Sequence, residues 1–303
     1  WKFADQPKYE KGKEIEYTIT EEKVDGYITT KGTGDYDVIN TPTTVIVEKV
    51  DDKGNPVKNA QLQITVKDSN GNAVASWKTD GTSYDIIGKL IVGNTYTLEE
   101  INVPTGYVAA DSITFKVEAD GTITVDNKTI VGNKLTLVDA KLHFNVNKVE
   151  LGNGNEVEGA HLVVIDKETG KAVGEWVSEK GKTHDFGSKL EAGKSYILRE
   201  TVAPAGYKYA TDIEFTVKKD GTIETNAKTT TDTDGNKVYL VEDDTTKVTI
   251  TKVDVLGNLL SGVVLEIQDK DGKVIDTWTT STKDNPHVIT GKLILGETYK
   301  LVE

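Results

Sequence analysis

The 303-residue sequence has no cysteine, which removes a disulfide framework, a thiolate metal site and a cysteine nucleophile together. Methionine is also missing, and the chain opens on Trp1 with no signal segment before it, so it reads as a window from a longer precursor. No apolar run approaches the roughly 20 residues that cross a bilayer as a helix, so no membrane span is expected in this window. Basic residues are the minority: 36 Lys and Arg against 49 Asp and Glu give a net charge of −13, which repels a phosphate backbone. Nucleic acid is therefore excluded as an expected partner. Nucleophile elbows, phosphate-binding glycine loops and paired-histidine motifs are missing too, and no cofactor or metal is expected.

What the sequence does hold is short alternating runs of Thr, Val, Ile and Tyr, punctuated by Asn70-Gly71, Asp120-Gly121, Asp220-Gly221 and Asp271-Gly272. Alternation at period two between such pairs predicts β-hairpins. Nowhere does the apolar spacing of a helix persist over three turns, so the fold class is all-β.

A period runs through the chain. Tyr96-Thr-Leu-Glu-Glu100 leads into Pro104-Thr-Gly-Tyr107, and Tyr196-Ile-Leu-Arg-Glu200 leads into Pro204-Ala-Gly-Tyr207. Tyr17-Thr-Ile-Thr-Glu21 runs to Gly26-Tyr27 without the proline, and Tyr299-Lys-Leu-Val-Glu303 stops at its glutamate. Upstream, Lys49, Lys148 and Lys252 lie 99 and 104 residues apart, with Trp77, Trp176 and Trp278 following at offsets of 28, 28 and 26. Such a period means tandem modules. The expected division is 1–41, the end of one module; 42–140 and 141–245, two complete modules; and 246–303, the start of another.

Face counting gives the chemistry. Residues two apart on a strand share a face. Lys49 follows Val45 and Val47, Lys148 follows Leu142, Phe144 and Val146, and Lys252 follows Val248 and Ile250, so each lysine is expected to point at a core. Glu100, Glu200 and Glu21 follow Tyr96/Leu98, Tyr196/Leu198 and Tyr17/Ile19 in the same way. A carboxyl or carboxamide stands nine residues before each lysine: Asn40, Asp139 and Asp243, which follow Tyr36/Val38, Leu135/Leu137 and Tyr239/Val241. Nine residues cannot form a domain, so each acceptor closes one module and the lysine opens the next. First and last strands of one module then carry Lys49 with Asp139, and Lys148 with Asp243.

Isolated buried ions are costly, and burial favours the neutral form of each group. A desolvated lysine is a nucleophilic amine, and a carboxyl held against it gains the effective concentration of an intramolecular reaction. A glutamate in the same apolar setting, with a raised pKa, can shuttle the protons. The expected product is an amide between two side chains.

The segments VEKVD, YTLEEINVPTGY and LTLVDAK, and again NKVE, YILRETVAPAGY and YLVEDD, resemble the CnaB/SpaA-type repeats of Gram-positive surface adhesins and pilins. Residues 1–41, ending VINT, look like the back half of a collagen-adhesin B-region repeat. The resemblance implies tandem Ig-like, prealbumin-like β-sandwiches in a linear array. It also implies a lysine on the first strand joined to Asn or Asp on the last, with the glutamate as catalyst: Lys49–Asp139 with Glu100, and Lys148–Asp243 with Glu200. Lys252 with Glu303 would take an acceptor beyond the window, and Asn40 with Glu21 a lysine before it.

By this resemblance the chain is the stalk of an extracellular, cell-wall-anchored Gram-positive adhesin, with neighbouring modules of the same chain as partners and a host ligand bound elsewhere in the parent protein. It is not a turnover enzyme, because each site reacts once. Two other readings stand beside it: modules that themselves bind a matrix protein or glycan, and a sortase-assembled pilus shaft subunit. Neither a sorting signal nor a tyrosine-proline-lysine-asparagine pilin motif is found, which weakens the second. Trp77, Trp176 and Trp278 are expected to pack in cores or hairpins rather than to form a sugar platform. The acidic turns at Asp68–Gly71, Asp232–Gly235 and Asp269–Gly272 lack the bidentate glutamate of a calcium loop and are expected to be plain turns. His143, His161, His184 and His287 occupy what reads as unrelated positions, which argues against a metal or general-base role.

Overall fold

A computed structural model describes residues 4–66, 73–283 and 285–303; the Asn70-Gly71 turn and the Asp68–Gly71 acidic cluster lie outside them. Strands dominate, with two short 3-10 turns at Val131–Asn133 and Gly187–Lys189, and no α-helix occurs among the described residues. None of the described helices is long and apolar enough to cross a membrane. Two compact units divide the chain: Trp1–Pro104 with Ala109–Ala140, and Thr105–Val108 with Lys141–Glu303.

In the first unit, the strand that carries the lysine, Thr44–Asp51, lies between Tyr84–Ile87, antiparallel to it, and Lys134–Lys141, parallel to it. Antiparallel neighbours need only a turn, whereas parallel ones need a long crossover. Here everything between residues 51 and 134 serves as that crossover, so the beginning and end of the repeat are brought side by side. A second sheet runs in the order Lys128–Thr129, Ile123–Val125, Ile113–Val117, Thr95–Asn102, Lys58–Val66 and Ala73–Asp80. Val45, Val47, Leu62, Ile64, Tyr96, Leu98, Phe115, Leu135 and Leu137 fill the space between the two sheets. The burial of Thr44–Asp51 alternates residue by residue, as a half-buried strand requires. Ahead of this sandwich, Tyr27–Lys31 pairs with Val38–Pro42 in a hairpin.

The second unit repeats the plan. Asn145–Glu150 runs parallel to Lys237–Asp243, and the facing sheet runs Ala172–Val177, His161–Asp166, Ser195–Val202, Ile213–Val217 and Ile223–Thr225. Phe144 stacks on Phe215 with ring centroids 4.2 Å apart at the centre of this core. Residues 246–303 add a two-stranded sheet, Lys247–Ile250 with His287–Thr290, and a three-stranded one, Val274–Thr279, Val264–Gln268 and Lys300–Val302. The hairpin turns lie where the Asp-Gly pairs place them. Asp120 and Asp220 each accept bonds from the backbone N–H (3.0 Å) and hydroxyl (2.7 Å) of Thr122 and Thr222, which pins the turn.

Three expectations from face counting are corrected. Residues 15–24, read as a strand ending at Glu21, take no strand pairing among the described residues; Ile19 is 42% exposed and Glu21 is exposed. Asn40 does sit on a strand, but Tyr36 and Val38 before it are exposed, so its face closes no core. Val248 is exposed as well, and Lys252 lies only partly covered just past the end of its strand. The common reason is that a strand face is buried only by an opposing sheet. Around residues 4–41 no such sheet is present among the described residues, and in 246–303 the two sheets have just two and three strands.

Candidate functional site

The parallel pairing sets the geometry. Lys49 is level with Leu137, and Asp139 is the next residue along on the same face; Lys148 is level with Val241, and Asp243 is the next on its face. Glu100 and Glu200 come from the facing sheet, where they pair with Leu62 and Leu162 of the neighbouring strand. Each site is thus assembled across the core from three strands.

The Lys49 ammonium nitrogen contacts Asp139 Oδ1 directly and lies 3.4 Å from Glu100 Oε2; all three side chains are at most 1% exposed. In the second unit Lys148 Nζ contacts Asp243 Oδ1 and lies 3.6 Å from Glu200 Oε1, and all three side chains are fully buried. Among the described residues, nine buried side-chain polar atoms lack a hydrogen bond of good geometry, and eight of them belong to these two sites. Each such atom costs about 1–3 kcal/mol. The folds therefore concentrate their unsatisfied polarity at the two triads.

Glu100 is pushed up to about 7, first by burial and then by its hydrogen bond with and repulsion from Asp139, while Lys49 pulls it back. Glu200 is also pushed up to about 7 by burial; the Ala210 amide and Lys148 pull it down, and Asp243 pushes it up. Burial raises Asp243 as well, against the pull of Lys148. Both glutamates thus gain and lose a proton near neutral pH, the condition for moving protons at a reacting carboxyl.

One functional element was missed from the sequence. The Ala110 backbone N–H donates to Asp139 Oδ1 at 2.9 Å, and the matching Ala210 N–H donates to Glu200 Oε2 at 2.6 Å. The signal was present as an alanine ten residues after each glutamate. Asp51, on the same strand face as Lys49, is turned away: its Oδ1 accepts the N–H groups of Lys53 (3.0 Å) and Asn55 (2.8 Å). The carboxyl in direct contact with the Lys49 amine is that of Asp139.

The incomplete sets differ. Lys252 Nζ lies 2.9 Å from Glu303 Oε2, with Glu303 more than half exposed. Asn40 Nδ2 donates to Glu21 Oε1 at 2.9 Å, and Thr29 Oγ1 donates to Asn40 Oδ1 at the same distance. Lysine and glutamate meet in the one, acceptor and glutamate in the other, and both pairs are solvated.

Each tryptophan stacks on a ring of the next strand along the chain, which belongs to the other sheet: Trp77 on Tyr84 (4.5 Å), Trp176 on His184 (4.6 Å) and Trp278 on His287 (4.1 Å). This corrects the reading of the histidines. His184 and His287 share one position, also held by Tyr84, and serve as flat partners for the indole. No group of three or more metal-ligating side chains occurs among the described residues.

Two stacked-sheet repeats with a buried Lys–Glu–Asp triad on corresponding strands define a tandem prealbumin-like protein. The sequence model of the SpaA prealbumin-like fold domain matches residues 43–129, 143–238 and 246–303, and that of the Cna protein B-type domain matches 1–41. The chain belongs to the SpaA prealbumin-like domain family. Among solved structures it is similar to the Bacillus anthracis TIE protein at 22% identity and TM-score 0.33, covering 88% of this chain and 46% of that one. A C-terminal fragment of the pilus adhesin SpaC from Lactobacillus rhamnosus GG is 17% identical at TM-score 0.38, with 70% and 99% covered. The shaft pilin SpaA from the same organism is 13% identical at TM-score 0.29, with 67% and 98% covered. The chain thus spans less than half the length of the TIE protein. No curated protein matches it at a significant level.

Proposed function

We propose that the chain is a stalk segment of an extracellular, cell-wall-anchored Gram-positive adhesin in which each complete repeat locks itself with one side-chain amide, Lys49 to Asp139 and Lys148 to Asp243. The observation that carries this reading is the direct contact of each amine with its carboxyl inside a dry core, beside a glutamate raised to about 7. The step balances as follows. A proton leaves lysine Nζ for the aspartate carboxyl, Nζ attacks the carboxyl carbon, a C–N bond forms, a C–O bond breaks, and one water departs with two protons from nitrogen and one aspartate oxygen. The glutamate relays the protons and is regenerated. Condensation also removes several of the unsatisfied polar atoms from each core.

A stalk gains from this bond twice. Closing residues 49 to 139 resembles a cross-link across a loop of some 90 residues, which stabilises a fold by about 4–5 kcal/mol in the chain-entropy account. Force applied along the chain enters at the start of the lysine strand and leaves from the end of the acceptor strand. An amide between those strands diverts tension away from residues 50–138. No reductant cleaves it, unlike a disulfide.

Intact mass tests the reading. The purified chain is expected to weigh two waters less than its sequence, one from each complete repeat; the full sequence mass would refute the amides.

A further inference from the structure

The glycine of each Pro-x-Gly-Tyr box, and Gly26 in its place in the first segment, has work beyond shaping a turn. In the first unit Gly26 is buried, and its carbonyl accepts the Thr43 N–H at 2.8 Å and the Thr43 hydroxyl at 3.2 Å. That hydroxyl also donates to the Leu90 carbonyl at 2.7 Å, while the Thr43 carbonyl accepts the Gly88 N–H at 2.9 Å. In the second unit the buried Gly206 does the same: its carbonyl accepts the N–H (2.8 Å) and hydroxyl (3.2 Å) of Thr246, and the Thr246 hydroxyl donates to the Leu293 carbonyl at 2.9 Å. The Gly291 N–H donates to the Thr246 carbonyl at 2.9 Å. Gly106, on the short Thr105–Val108 segment that belongs to the second unit, accepts from Leu142 N–H at 2.9 Å and donates to the Leu190 carbonyl at 2.8 Å.

Thr43, Leu142 and Thr246 each stand six residues before the lysine and three after the acceptor, in the middle of the connector. All three are buried. A connector free in solvent would leave its central residue exposed; these are clamped between a glycine of the preceding box and a loop of the following repeat.

Glycine is required there for two reasons. At Gly26, Gly106 and Gly206 φ is +81°, +87° and +88°, a region that side-chain-bearing residues avoid. A Cβ on Gly26 would also overlap the carbonyl of Gly88, lying 2.8 Å from its carbon, and one on Gly206 would overlap the carbonyl of Gly291 in the same way. On Gly106 the Cβ would meet Ser188 at 3.1 Å, a milder clash. A second contact lies beside the first. The Asp-Gly hairpin of the following repeat reaches the residue just past the box: Gly121 faces Ile28, and Gly221 faces Val108, so tightly that a Cβ on either glycine would strike that side chain.

We infer that the box glycine is a docking residue whose partner is the next repeat of the same chain, and that at the Thr43 and Leu142 connectors the Asp-Gly hairpin adds a second point to the joint. This inference stands independently of the amides. The experiment is residue-resolved hydrogen exchange on the whole 303-residue chain and its Gly206→Ala variant, with intact mass recorded on both. The variant is expected to exchange the Thr246 and Gly291 amides at least tenfold faster while Val217 and Val241 in the sandwich core keep their protection and the mass stays as in the parent apart from the added methylene. Thr246→Val keeps the backbone but removes the hydroxyl bonds to Gly206 and Leu293; it is expected to speed exchange at the same two amides several-fold, and it decides the matter if Gly206→Ala disturbs the core. Unchanged protection of Thr246 and Gly291 in Thr246→Val, or in a folded Gly206→Ala, overturns the joint. A change in the number of waters lost speaks only to the amides.

Discussion

Asp139 lies one same-face step beyond the residue level with Lys49, on the strand that runs parallel beside it. That offset matters because lysine is long: its ammonium reaches diagonally to a carboxyl two residues on, where a shorter amine would stop at Leu137. Asp243 repeats the offset from Lys148. The glutamate then arrives from the opposite sheet, so the triad forms only when both sheets have closed on the core. The proposed condensation would thereby be tied to completion of folding.

Glu100→Gln preserves shape and hydrogen bonding but cannot carry a proton. The chain is expected to lose one water instead of two, with the missing condensation mapped by peptide digestion to the Lys49–Asp139 pair. Without its cross-link, the first repeat is expected to be about 4–5 kcal/mol less stable. For a domain of this size that lowers its melting temperature by roughly 20–30 °C, which calorimetry resolves from the unchanged second transition. Two waters lost in Glu100→Gln would remove the glutamate from the mechanism.

Removing the amine exposes the cost of the carboxyls. In Lys148→Met, Glu200 and Asp243 stay buried without the cation that offsets their burial. A carboxyl whose folded pKa is raised binds its proton more tightly folded than unfolded, so stability is greatest at low pH and falls as pH rises from the unfolded value, about 4.3, through the folded one. Urea unfolding of this variant is expected to show stability declining by a few kcal/mol between pH 4.5 and above 7, the raised value of Glu200 being about 7 before the cation is removed. Adding Glu200→Gln should flatten much of that slope. A profile that instead rises with pH in this window would contradict the burial of both groups.

The face of each site residue was legible in the sequence wherever two complete sheets oppose one another. Val45, Val47 and Lys49 are buried in alternation as the count required, and so are Leu135, Leu137 and Asp139. Period two tells which way a side chain points, but not what stands opposite. Glu21 and Asn40 carry the same pattern and are exposed, and Lys252 is only partly covered, because among the described residues no complete sheet lies over them. The repeat period already set the lysine of the first strand against the acceptor of the last; that these two strands pair directly and run parallel was hidden, since pairing across some 90 residues leaves no local mark. His184 and His287 were misread for a different reason: the position calls for a flat ring beside the indole, a requirement that Tyr84 meets with another residue type.

That stack supplies a pH signal. Burial lowers the His184 pKa from its ordinary value, against the pull of Asp185. The folded protein therefore favours the neutral ring, and the stability it contributes is present above the unfolded value of about 6.5 and lost as pH falls through the lowered folded value. Protonation places a cation on the Trp176 indole face, so Trp176 emission is expected to change with a midpoint below that of free histidine. His184→Tyr, which copies the Trp77–Tyr84 pair, should abolish this transition. The measurement uses a chain with Trp1, Trp77 and Trp278 replaced by Phe, so that Trp176 is the single indole emitter.

The acceptor can be exchanged without changing the product. Asn40 shows that a carboxamide occupies the acceptor position in one segment of this chain. In Asp139→Asn the side-chain Oδ1 can still accept the Ala110 N–H, and the same Nζ can attack the same carbon, but ammonia leaves in place of water. Lysine joined to asparagine with loss of ammonia is the same amide as lysine joined to aspartate with loss of water. The fully reacted Asp139→Asn chain is therefore expected to have the same mass as the fully reacted parent, although their sequence masses differ. An Asp139→Ala chain, lacking any acceptor carbon, should lose a single water, from Lys148 and Asp243. A parent chain and an Asp139→Asn chain that each keep their own sequence mass would show that neither carboxyl nor carboxamide at this position is attacked.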